Sequence, residues 1–156
     1  MPNREVHRLI GMVASAIQME PHLDGFGSIG QVGLASGALL GGYYASTLPD
    51  VIEPASSPRH RSSAHSIALL ALLVHACKDH IPSWIAVSRA AAWDAGVRRL
   101  SASRCSPEWY SAGLDEFLNG FAAGALLGAG TGYTSHLIAD SFTPAGLPLL
   151  ASDAVT

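Results

Sequence analysis

Gly120-Phe121-Ala122-Ala123-Gly124-Ala125-Leu126-Leu127-Gly128-Ala129-Gly130-Thr131-Gly132 is the stretch on which the fold turns. Glycine falls at every fourth position, 120, 124, 128 and 132, in a run otherwise rich in Ala and Leu. On a helix that interval strips one face of side chains, so that a neighbouring backbone can approach closely. A second strip, Gly33, Gly37 and Gly41, repeats the interval. A glycine inside a helix costs about 1 kcal/mol relative to alanine. Seven such positions need close packing to offset them, and the expectation is a glycine zipper in which the two strips face each other.

Outward from these strips the punctuation is helical throughout. Asn3 caps a helix over 4–19 whose apolar face is Val6, Leu9, Ile10, Val13 and Ile17, with His7 pointing partly inward. The first glycine strip lies on a helix over 28–47 that stops at Pro49, and 51–61 reads as a loop. Ser62 or Ser63 caps a helix over 64–78, Pro82 marks a break, and an Ala-rich helix follows over 83–100. Ser106-Pro107-Glu108 is a strong start signal: a cap, a proline in the first turn and an acid at the positive dipole end. That last helix runs from 107 towards 142, with a bend expected near Gly130 or Gly132. Strand signals are weak everywhere. The expected fold is one all-α domain over 1–156, a compact bundle of about five helices with the two glycine-striped helices packed closely.

At 156 residues the chain is long enough to bury a real core. A net charge of −3 and the lack of a basic cluster argue against nucleic acid. Arg98-Arg99 is the one adjacent basic pair and reads as a solvated helix end. Cys77 and Cys105 fit no zinc or redox spacing; a disulfide between them stays open. Charged residues make up 13% of the chain, about half the usual share. The runs 29–48 and 117–139 carry no formal charge apart from what His136 gains on protonation. Each is long enough to cross a hydrocarbon layer, which takes about 20 residues. No cleavable signal peptide is evident. A membrane protein and a compact soluble bundle tightened by glycine both fit this composition.

The polar residues beside these runs carry the chemistry. His136 and Asp140 lie four apart and share a helix face. They form either a local hydrogen bond in the core or two ligands of a cation. Asp50, following Leu48-Pro49, and His60 and His65, around Arg61-Ser62-Ser63-Ala64, are the other candidates. A carboxylate beside an apolar core is costly unless it is paired or coordinates a cation. His22, His75 and His80 have no partner pattern, and neither a Gly-x-Ser-x-Gly elbow nor a phosphate-cradling Gly-x-x-x-x-Gly-Lys loop occurs.

Taken together, His7, Leu48-Pro49-Asp50, His60-Arg61-Ser-Ser-Ala-His65-Ser66 and Gly132-Tyr-Thr-Ser-His136-Leu-Ile-Ala-Asp140-Ser-Phe-Thr143-Pro144 resemble the YdjM-like family of inner-membrane-bound, metal-dependent hydrolases. That family is distantly similar to zinc-dependent phospholipase C and P1 nuclease. The resemblance implies a membrane-associated hydrolase acting on a phosphoester or lipid through metal-activated water. It implies one to three divalent ions, zinc first and manganese or iron as alternatives. Asp50, His65, His136 and Asp140 would be the central catalytic ligands, and His7 and His60 would complete the metal set. Arg61 would hold an anionic group of the substrate, or else pair with Glu53 or Asp50. Ser66 and Thr143 would orient ligands through hydrogen bonds. Two departures matter: Ile52 stands where the family has a second acid, with Glu53 next to it as a substitute or a supporting residue behind the ligands, and Ser62 replaces the Gly of the family's His-Arg-Gly. Expected partners are a small-molecule or lipid substrate, the inner membrane, and a second copy in a homo-oligomer. A non-enzymatic membrane or assembly protein, with glycine-driven packing and a structural metal or His/Asp cluster, is the competing expectation.

Overall fold

The computed structural model describes residues 4–53, 64 and 66–142. Among them there is no strand. The helices are α1 (Arg4–Met19), α2 (Ser28–Ala45), α3 (Leu48–Ile52), α4 (Ile67–Cys77), α5 (His80–Ser101) and α6 (Pro107–Ser141), with a 3-10 turn over Glu20–Gly25. The expected all-α bundle is what forms.

Three boundaries differ from expectation, each for a local reason. Pro49 does not simply end a helix; it sits in the first turn of α3, where its missing N–H costs nothing. Pro82 is likewise absorbed in the first turn of α5. Helix α4 starts at Ile67 because Ser66 caps it, its hydroxyl accepting from the Leu69 N–H at 3.1 Å. Asn3, Ser62 and Ser63 lie outside the described residues. The start of α6 follows its signal: the Ser106 hydroxyl accepts from Trp109 N–H. Backbone N–H groups there, then Ser106, hold the Glu108 carboxyl below its ordinary value. Helix α6 runs unbroken through Gly130 and Gly132. Cys77 and Cys105 are both free thiols.

Helices α2 and α6 share the largest interface. They run parallel. A Cβ at Gly33, Gly37 or Gly41 would press on the carbonyls of Phe117, Phe121 and Ala125 in turn. In return, a Cβ at Gly120, Gly124 or Gly128 would press on the carbonyls of Gly30, Leu34 and Ala38. Each contact on one helix has its counterpart 87 positions later or earlier on the other. The pair is therefore quasi-two-fold, and the shared pentapeptide Gly-Ala-Leu-Leu-Gly at 37–41 and 124–128 lies at its centre. The strips meet as expected, with glycine seated on the partner's backbone rather than mainly on glycine.

Helix α1 lies antiparallel across one end of this pair, with Gly11 against the Gly42 carbonyl and the Ser46 side chain. Here the sequence-based expectation fails. Val6, Leu9, Ile10, Val13 and Ile17 are exposed, whereas His7, Gly11 and Ser15 are buried. Only small residues at 11 and 15 let α1 reach the glycine-bared pair, and Ser15 donates to the Gly11 carbonyl at 2.7 Å.

At the opposite end a second expectation is corrected. Arg98 is a solvated pair with Asp115, but Arg99 is mostly buried and donates to Glu116 at 2.8 Å. Glu116 is fully buried and also accepts from the Gly30 N–H at 3.2 Å. It thereby caps α2, whose own N-cap, Gly27, has no side chain to do so. Phe26, Leu34, Ala92 and Ala123 form the apolar core.

Candidate metal centre

The site lies where α2 ends, where α3 begins and on the last turns of α6. Ser46 follows α2 and leaves a carbonyl without a helical partner. The His136 ring reaches it, with Nδ1 2.6 Å from the Ser46 oxygen. A carbonyl can only accept, so Nδ1 carries the proton, and Nε2 of a neutral ring is left as a bare donor atom.

That Nε2 faces acids. It lies 3.5 Å from Asp140 Oδ2 and 3.7 Å from Asp50 Oδ1. His7 enters from α1, its Nε2 3.6 Å from Asp140 Oδ1. The two imidazoles stack with centroids 4.0 Å apart. His7, His136 and Asp140 are buried, and Asp50 is partly so. His7, Asp50 and His136 each present a ligand atom within 4.8 Å of the others, and together they could hold a metal ion.

The distances bear on whether these groups could share a cation. Charge-assisted N–H···O bonds run about 2.7–2.9 Å. The observed separations of 3.5–3.7 Å are too long for that. Ligands about 2.0–2.2 Å from a tetrahedral ion stand about 3.3–3.6 Å from one another. The donors present, imidazole nitrogens and carboxylate oxygens, fit a divalent ion.

The structure thus brings together four of the expected site residues: His7, Asp50, His136 and Asp140. His60, Arg61, His65 and Thr143 lie outside the described residues. Neither Asp140 nor Glu53 belongs to the converging trio of His7, Asp50 and His136: Asp140 lies against the two imidazoles, and the buried Glu53 carboxylate accepts from the Ala64 N–H at 3.0 Å. Ser66 caps α4. Sequence reasoning missed the contribution of Ser46, a backbone carbonyl that no residue pattern reports. It also missed Tyr133, whose hydroxyl donates to the Ala64 carbonyl at 2.5 Å. Burial, and then the Glu53 charge, raise the Tyr133 phenol above its ordinary value.

An apolar cavity of about 460 Å³ lies alongside, walled by Leu70, Leu73 and Val74 of α4 and by Gly130 of α6. Leu48, two residues before Asp50, and Tyr133, one turn before His136, also line it. Set against known proteins, the chain matches no family model, no curated protein and no solved structure.

Proposed function

We propose that this chain is a membrane-associated, metal-dependent hydrolase of a phosphoester or lipid, with zinc as the ion. The observation that carries the proposal is the meeting of His7, Asp50 and His136, whose ligand atoms lie within 4.8 Å of one another, beside the buried Asp140. His7, Asp50, His136 and Asp140 would hold the ion. When bound, it would act as a Lewis acid and bring the acidity of a water towards neutral pH. The protein's own part is orientation. Ser46 fixes the tautomer of His136 and turns Nε2 into the site. Burial excludes bulk water from His7 and Asp140. The neighbouring apolar cavity suits the non-polar part of a lipid.

The resemblance to YdjM-like proteins points the same way for ligands, activity and location. Membrane association draws further support from apolar side chains facing outward on every long helix, Leu9, Leu40, Leu72, Trp84 and Leu118 among them. No described helix is long and apolar enough to cross a membrane.

The test is elemental analysis of protein purified without chelators, followed by turnover of a generic phosphodiester. About one or more equivalents of metal are expected in wild type, with strong depletion in His136→Ala and loss of turnover in Asp140→Ala. Metal-free wild type would remove the enzyme reading. The competing assembly-protein reading is favoured by the quasi-two-fold glycine pair, which accounts for Gly33, Gly37, Gly41, Gly120, Gly124 and Gly128 without chemistry. Metal binding without turnover on any substrate tested would favour it.

A further inference from the structure

Asp50 is the least secured of the ligands. It is the only one of the four that is not fully buried, and it rides on a helix of five residues. Its neighbours in the site, His136 and Asp140, ride on the longest helix of the molecule. Something must hold α3 to α6 at this point if the ligand atoms are to keep their spacing.

A bridge of two hydrogen bonds does so. Glu53, three residues after Asp50, accepts from the Ala64 N–H. Tyr133, three residues before His136, donates to the Ala64 carbonyl. Both polar groups of one buried residue are thus spent joining the two ligand-bearing helices. Alanine contributes no side-chain chemistry, so its place here is that of a backbone link.

On the footing of the metal site proposed above, we infer that Glu53 and Tyr133 are positioning residues, which set Asp50 against His136 through the backbone of Ala64. Glu53 then occupies a different role from the missing acid at Ile52: it holds a ligand in place instead of being one. Hydrogen bonds made directly to a metal ligand typically govern about 10- to 100-fold in binding, and a bridge one step further out is expected at the lower end of that range.

The experiment is a cobalt(II) titration of the full chain, read by affinity and by the visible absorption that reports coordination. Tyr133→Phe removes one hydroxyl and keeps the ring. It is expected to weaken cobalt binding about tenfold, alter the absorption band and leave the far-ultraviolet helical signal unchanged. Glu53→Ala should do the same, and Glu53→Gln, which still offers an amide oxygen to Ala64, should restore most of the affinity. Because both residues serve one link, Tyr133→Phe combined with Glu53→Ala should lose no more than either alone. Wild-type affinity in Tyr133→Phe would overturn the bridge, as would additive losses in the double variant or failure of Glu53→Gln to rescue. Absence of cobalt binding by wild type, read before any variant is compared, would instead overturn the metal reading beneath it.

Discussion

His136 has its tautomer chosen by a carbonyl 90 positions away along the chain, that of Ser46. Its spacing from Asp140 was legible, since four residues on a helix define one face. Its contact with Ser46 was not, because an orphaned helix-end carbonyl leaves no mark in side-chain pattern. Tyr133 shows the same limit: it stood in the motif as an ordinary residue, and only the fold brings it to Ala64. Its phenol titrates above its ordinary value of 10.0 because burial, then Glu53, disfavours the anion. The native state therefore holds this proton more tightly than the unfolded chain does. Stability from this group is complete below about pH 10 and is lost as pH rises through the native value. Denaturant midpoints measured from about pH 9 to 11 should fall more steeply for wild type than for Tyr133→Phe. Equal slopes would show that the phenol is not held neutral by the fold.

Glycines on one helix divide into two kinds. A Cβ at Gly124 would collide with the backbone of Leu34 and Ala38, whereas one at Gly130 would meet nothing. Gly124→Leu should thus cost more than about 3 kcal/mol, since backbone cannot yield as a side chain does. It should also lower metal content, because α2 and α6 deliver Ser46 and His136 to the same place. Gly130→Ala should stabilise by about 0.4–1 kcal/mol, through lost freedom in the unfolded chain. Urea unfolding of the two variants separates the cases, and a destabilised Gly130→Ala would mean that the groove needs a bare floor. Glu116 of α6, paired with Arg99 of α5, holds the far end of α2 through the Gly30 N–H. Glu116→Ala strands a mostly buried guanidinium and the Gly30 N–H, so a loss of about 3–5 kcal/mol is expected in the same assay. A loss near zero would show that water replaces the carboxylate there.

The molecule as a whole is built with small and polar groups inside and large apolar ones outside. Among the described residues the buried hydrophobic ones are mostly alanines, while Leu9, Val13, Ile17, Trp84, Trp93 and Leu114 are exposed. Van der Waals closeness between bared backbones, more than burial of bulky side chains, holds α2 to α6. If the outer layer faces lipid, the protein should float with phospholipid vesicles and stay with carbonate-washed membranes. Replacing Leu9, Val13 and Ile17 with Ser should weaken that association while changing stability little, as exposed sites usually do. Recovery of the wild-type chain wholly in the supernatant would exclude this.

Helix positions, the glycine intervals and the His136–Asp140 pair could be read from the chain because caps, breaks and periodicity act over one or two turns. The inward face of α1 could not. An apolar stripe predicts burial only when packing has room for it, and the bared surface of α2 and α6 admits His7, Gly11 and Ser15 instead. The burial of Arg99, the carbonyl beneath His136 and the Ala64 link share that origin. Each depends on two helices remote in sequence approaching until only backbone and the smallest side chains separate them, a distance set by the packed whole.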